Sequence, residues 1–188
     1  MIEIERNTRE EAMKLYISRH GETMRNAEYR VLGRTDDPLS EKGRAQAADL
    51  AERLKATEID LIFASPLSRA METAQTVAKT KNLEVIPDER LLEINFGDFE
   101  GVPGGSAEYQ NAKREFFKRY PNGESYFDIA YRVYNFLFEI KEAYPDKRVL
   151  VVSHGGVCRI LHNYFIDMEN EDFAKFAFPN CGIEEYEV

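Results

Sequence analysis

Four short segments of this 188-residue chain combine imidazole, guanidinium, carboxylate and glycine in a way suited to handling an anion. They are Arg19-His20-Gly21-Glu22-Thr23, Ser65-Pro66-Leu67-Ser68-Arg69-Ala70, the run beginning Leu92-Glu93-Ile94-Asn95, and Ser153-His154-Gly155-Gly156. A phosphoryl group presents three oxygens, which the guanidinium forks of Arg19 and Arg69 can bind bidentately, and Gly155 and Gly156 open a helix whose N-terminal amides favour an anion. One neutral imidazole in such a cluster can attack phosphorus in line, while a second, if cationic, stabilises the equatorial charge of the transferring group. Glu93 is then available as general acid for the leaving oxygen and, once deprotonated, as base for the water that hydrolyses a phosphohistidine. This is two-step covalent catalysis that requires no metal and no cofactor.

The elements needed to position these groups are legible as patterns. Runs 14–18, 61–64, 83–86 and 148–152 are short, apolar and rich in β-branched residues, and helix-like stretches separate them. Each run leads into one of the four segments, as expected where ligands bind beyond the carboxyl ends of parallel strands. Ser40 is suited to cap a helix reaching about Thr57, a second helix spans about 69–79, and Ser125 with Asp128 forms a capping-box pattern ahead of a helix ending near Pro145. A further helix follows Gly155-Gly156 and is expected to bury Val157, Ile160, Leu161 and Tyr164, and residues 182–188 read as an edge strand. The expected fold is α/β, a single three-layer domain with a largely parallel central sheet, helices on both faces and one antiparallel edge strand.

Residues 1–13 read as a charged N-terminal extension, leaving 14–188 as the domain. Residues 97–125 carry many turn formers and several aromatics, which fits either an apolar lid over a site or a satellite cluster beneath a loop. A net charge of −9 argues against nucleic acid and membrane surfaces as partners. Apolar runs are too short for a bilayer span and the N-terminus is too charged for a signal peptide, so a cytoplasmic protein is expected. Cys158 and Cys181 read as two reduced thiols, with Cys158 in the core and no third metal ligand evident near it.

Taken together, Arg19-His20-Gly21-Glu22-Thr23 with Asn26, then Ser65-Pro66 with Arg69-Ala70, and Ser153-His154-Gly155-Gly156 resemble, in order and spacing, the motifs of the histidine phosphatase superfamily, also called phosphoglycerate mutase-like. The similarity runs from Lys14 to the C-terminus. It implies that His20 is the phosphorylated nucleophile, that Arg19, Arg69 and His154 complete the phosphate pocket, and that Glu93 is the proton donor. It also implies that Asn26 and the Gly155 amide contact phosphate oxygens, that the Gly21 carbonyl orients the His20 ring, and that Thr23 reaches the substrate. The segment 92–101 is similar to the phosphatase branch rather than to the Asn-Glu-Arg-His-Tyr-Gly type of the mutases, and the stretch from Glu93 to His154 is shorter than theirs. Met24-Arg25 stand where relatives often have a Trp, and Gly123-Glu124-Ser125 resembles a family segment to which no role is assigned.

Arg25 and Arg34, in the loop after the first motif, are candidates for substrate contacts, whereas Arg159 reads as solvated and His162 as a helix-face residue. Three functions follow in descending order: a metal-independent phosphomonoesterase acting on a small-molecule phosphate ester, a phosphoglycerate mutase using the same phosphohistidine, and a non-catalytic module binding a phosphorylated ligand. The aromatics of 97–125 suggest a partly apolar leaving group. Monomer and homodimer are both compatible with the sequence.

Overall fold

The structure, a computed structural model, describes residues 12–188. Five strands form one sheet: β1 (Lys14–Arg19), β2 (Leu61–Ala64), β3 (Val85–Pro87), β4 (Arg148–Ser153) and β5 (Ile183–Glu187), in the order β3-β2-β4-β1-β5. All neighbours are parallel except β5, which runs antiparallel along β1 at the edge. Side chains that alternate along a strand point to opposite faces, and two hydrophobic clusters reflect this. Leu15, Ile17, Phe63, Val149 and Val151 join one cluster; Tyr16, Ile62, Ala64, Leu150 and Val152 join the other. Fully burying each of the larger aliphatic side chains contributes roughly 1.5–3 kcal/mol.

Helices cover both faces, as the alternation of strand-like and helix-like runs predicts. The helices α2 (Glu41–Arg53) and α3 (Ser68–Lys81) bury small apolar stripes, Ala47, Leu50 and Ala51 from one and Ala70, Ala74 and Val77 from the other. On the opposite face α5 (Tyr126–Ala143) contributes Ile129, Val133, Phe136, Leu137 and Ile140, and α6 (Gly155–Phe165) contributes Val157, Cys158 and Leu161. The caps are those the sequence predicts: Ser40 accepts from the Gly43 amide, and Ser125 and Asp128 close a capping box.

Several details differ from the sequence expectation. Three short helices were not anticipated, α1 (Met24–Ala27), α4 (Ala107–Ala112) and α7 (Asn170–Lys175), each too brief to show a helical period. The third strand begins two residues late, because Asn82 takes a left-handed backbone after α3 and Leu83 still bonds back to Ala78. Tyr164 is not buried but 37% exposed, its ring edge-on to Tyr134 and Phe138 of α5. Met13 is fully buried and its carbonyl accepts from the Val188 amide, so the folded unit begins before Lys14; Ala12 is exposed, and residues 1–11 of the expected extension lie outside the described residues. Within 97–125, Tyr109 and Tyr120 are buried and Phe99 and Phe116 partly so, all in the α5–α6 cluster, while Phe117 is 80% exposed. Among the described residues no helix is long and apolar enough to cross a membrane.

Candidate active site

Inserting β4 between β1 and β2 sets the C-terminal ends of β1 and β4 side by side, with Arg19 in register with Ser153. The next residue on each strand is a histidine, and the His20 amide donates to the Ser153 carbonyl at 2.9 Å. The two rings therefore meet edge to face with centroids 5.0 Å apart. This is the switch point where open parallel sheets bind ligands.

Both histidines are almost fully buried, and their contacts fix their orientations. His20 Nδ1 lies 2.6 Å from the Gly21 carbonyl, which can only accept, so the proton is on Nδ1 and the lone pair on Nε2. Arg69 Nε donates to that Nε2 at 3.3 Å. The Gly21 carbonyl is itself held in place, since its amide donates to Thr73 and a Cβ at Gly21 would strike the Gly43 carbonyl of α2. Burial, and then the charges of Arg19 and Arg69, hold the His20 pKa well below the usual imidazole range, leaving a neutral nucleophilic nitrogen. Burial, Arg69, His20 and Arg19 depress His154 in the same way, which favours the neutral form of the second imidazole while no anion faces it. His154 Nε2 pairs with Ser65 Oγ at 2.7 Å.

Two arginines enclose the pair. Arg69, fully buried in the first turn of α3, is anchored through its Nη atoms to the Gly33 and Thr35 carbonyls. Arg19 donates from Nη1 to the Phe178 carbonyl, and burial lowers its pKa. Arg19 Nε and His154 Nδ1 are buried with no hydrogen-bond partner among the described residues. Glu93 stands at the start of α6, accepting from the Gly156 amide at 3.0 Å and from the Ile94 amide at 2.9 Å. A Cβ on Gly155 would lie 3.7 Å from Arg19 Nε and 3.9 Å from Glu93 Oε2, and one on Gly156 would come 2.5 Å from Glu93 Oε1. The paired glycines thus let the carboxylate approach the helix N-terminus.

A cleft of about 310 Å³ opens over this cluster, lined in part by Arg19, Asn26, Glu93 and Gly155. His20, Arg69 and His154 are buried and are not among its lining residues. Thr23, which the resemblance directs to substrate, is fully buried; its hydroxyl accepts from the Asn26 amide and caps α1. The loop arginines also differ from expectation. Arg34 is paired with Glu124, and Arg25 does not line the cleft, whereas Arg30 does. Arg159 is not solvated but 7% exposed, and it lines the cleft. Asn180, in the turn before β5, donates to the His20 carbonyl at 2.8 Å and lines the cleft as well. Nothing in its local sequence signals this, because the contact spans 160 residues.

The unassigned Glu124 is a structural hub. It pairs with Arg34 and Arg132 and accepts from the Asn95 amide, while Arg132 donates to the carbonyls of Arg90 and Glu93. Burial would raise the Glu124 pKa, but Arg132, the Asn95 amide and Arg34 outweigh it and hold the group below its usual value. The loop bearing Glu93 is therefore gripped from behind by an ion-paired network. Among the described residues no group of three or more His, Cys, Asp or Glu side chains is placed to hold a metal ion.

The fold and site define an α/β protein with two buried histidines and two arginines gathered at the carboxyl end of a parallel sheet, next to an open cleft. The chain belongs to the histidine phosphatase superfamily (branch 1), whose family model matches residues 15–188. It is 34% identical over 178 residues to the probable phosphoglycerate mutase GpmB of Cronobacter sakazakii, covering 91% of this chain and 83% of that protein. It is 33% identical to phosphoserine phosphatase 1 of Hydrogenobacter thermophilus, covering 90% and 84%. Among solved structures, the mycobacterial glucosyl-3-phosphoglycerate phosphatase superposes with a TM-score of 0.81 at 30% identity, covering 93% of this chain and 89% of the other. A phosphoserine phosphatase from Entamoeba histolytica, in complex with 3-phosphoglyceric acid, gives 0.80 at 30% identity over 92% and 89%.

Proposed function

We propose that this protein is a phosphomonoesterase that hydrolyses a small-molecule phosphate ester through a phosphohistidine on His20. One observation carries the reading: Arg19 Nε and His154 Nδ1 are buried and unpartnered beside a neutral His20 whose Nε2 lone pair is oriented by the Gly21 carbonyl. A tetrahedral anion seated there supplies an acceptor for Arg19 Nε and, once the His154 ring is protonated, for its Nδ1. His20 Nε2 attacks phosphorus, the P–O bond breaks, and Glu93 gives its proton to the leaving oxygen. Glu93 then takes a proton from water, the resulting hydroxide attacks phosphorus, the P–N bond breaks and inorganic phosphate leaves. Arg19, Arg69, Asn26 and the Gly155 amide hold the equatorial oxygens throughout, where developing charge makes their contribution largest. A dianion also favours protonation of His154, so phosphate binding is expected to take up a proton.

Phosphoglycerate mutase activity is the second reading, favoured by the name of the 34% identical relative. The test is phosphate release from p-nitrophenyl phosphate and a panel of metabolites in the presence of chelator, comparing wild type with His20→Ala. Turnover that survives chelation and is lost in the variant supports the proposal. Isomerisation of 3-phosphoglycerate primed by 2,3-bisphosphoglycerate, without net phosphate release, favours the mutase. Folded protein inactive in both assays leaves a phosphate-binding module.

A further inference from the structure

The outer face of α5 carries an aromatic seam that the candidate active site does not use. Phe127, Tyr131, Tyr134 and Phe138 follow one another at intervals of four, three and four residues, so all four lie along one stripe of the helix. Tyr131 is 75% exposed and Phe127 and Phe138 at least half, while Tyr134 is partly covered by Tyr164 of α6. The exposed Phe117 extends the stripe beyond Phe127, their ring centroids 5.0 Å apart, and Tyr164 widens it beside Phe138 at 5.9 Å. An aromatic side chain has about 150–250 Å² to bury, so these partly exposed rings leave about 600 Å² of apolar surface in water. That is the top of the range for the largest patch on a monomer, and patches of this size mark interaction sites.

We propose that this seam is the two-fold interface of a homodimer, in which α5 packs antiparallel on α5 of a second copy of the chain. Three observations select a second copy as the occupant. The first is symmetry: the seam reads Phe, Tyr, Tyr, Phe at intervals of four, three and four, and residue types and spacing are the same in either direction. A two-fold axis between Tyr131 and Tyr134 therefore sets each Phe127 against Phe138 of the other copy, and each Tyr131 against Tyr134, in a self-complementary contact. Alternating steps of four and three are also the pattern by which two helices pack at about 20°. The second is area. About 600 Å² of rings on each copy bury about 1,200 Å² together, the lower limit of a specific interface before any flanking residue is counted. The third is charge. Glu142 lies one turn past Phe138 and has no ion-pair partner among the described residues, while Lys118 and Arg119, though paired with Glu115 and Asp128, stay mostly exposed next to Phe117 at the other end of the stripe. Antiparallel packing brings these opposite ends together and opposes the two helix dipoles. The dimer does not depend on the reaction proposed above.

Sedimentation velocity of the full chain from about 1 to 200 μM is expected to show a dimer with a micromolar dissociation constant, the affinity of an interface near the lower size limit. Tyr131→Glu and Phe127→Glu each bury an unpaired charge in the seam and are expected to raise that constant by at least about tenfold, with the circular dichroism of the folded chain retained. Cysteine substitutions test the register. A disulfide needs Cα atoms within about 7 Å, so a mixture of Tyr131→Cys and Tyr134→Cys chains is expected to cross-link under mild oxidation, and neither variant alone. The native Cys158 and Cys181 are buried and do not compete. A chain that stays monomeric over this range overturns the proposal and leaves the seam to a different protein. A dimer that both glutamate variants leave intact overturns it as well, since the interface then lies on another face. Cross-linking within the separate variants but not in their mixture rules out the antiparallel register and the proposal with it.

Discussion

The carboxylate and the imidazole at this site have separable jobs, and the leaving group distinguishes them. An alkoxide needs a proton as the P–O bond breaks, whereas p-nitrophenolate departs without one. Glu93→Gln keeps the shape of the side chain and removes its acid. With an alkyl ester the substitution is expected to lower kcat/KM by about 10²- to 10⁴-fold, the usual contribution of a positioned acid, and with p-nitrophenyl phosphate by much less. Steady-state kinetics on the two esters check this; equal losses mean that Glu93 acts by charge or packing and not as a proton donor. His20→Ala, by contrast, removes the nucleophile and is expected to abolish turnover of both.

At the scale of elements, Glu93 lies in an irregular stretch between two single 3-10 turns, Glu89–Leu91 and Gly97–Phe99, and that stretch relies on α5 behind it. Glu124, immediately before the α5 cap, binds Arg132 on the second turn of that helix, and Arg132 reaches the Glu93 carbonyl. Glu124→Gln weakens two ion pairs in a mostly buried setting, and is expected to cost about 1–3 kcal/mol of stability as its partners lose part of their satisfaction. If the network positions the acid, the variant also shows a larger fall in kcat/KM with alkyl esters than with p-nitrophenyl phosphate. Chemical denaturation with kinetics on both esters separates the cases. Lost stability with an unchanged dependence on the leaving group means the network is structural only.

For the whole molecule, burying two histidines in a cationic cluster links folding to pH. Both have folded-state pKa values well below the ordinary imidazole value, so the unfolded chain binds protons that the native state refuses. Their contribution to stability is fully present above about pH 6.5 and is lost as pH falls below it, by up to about 1.4 kcal/mol per pH unit for each group. The thermal midpoint is expected to fall between pH 7 and 5. Inorganic phosphate should reduce the fall by binding the native state and favouring its protonated His154, and His20→Ala should make the dependence shallower. A midpoint independent of pH over that range, measured by calorimetry, contradicts the burial assigned to both rings.

How much of this was legible in the sequence depends on how far apart the interacting residues are. The chain by itself determined the strands and helices whose period exceeds a turn or two, the caps at Ser40 and Ser125, and the placement of Arg19-His20, Arg69, Glu93 and His154 beyond strand ends. Those features follow from local patterning and from the rule that parallel strands present their carboxyl ends to ligands. Only the tertiary structure decided that the surroundings of His154 favour its neutral form, that Thr23 caps a helix, that Arg159 is buried and that Asn180 and Lys113 share the cleft. Each depends on desolvation or on contacts between residues distant in the chain, and neither leaves a periodic trace. Exposure misled in both directions for the same reason: Tyr164 and Arg159 lie five residues apart on one helix, and the packing of α7 and α5 around it, not residue type, sets which of them is covered.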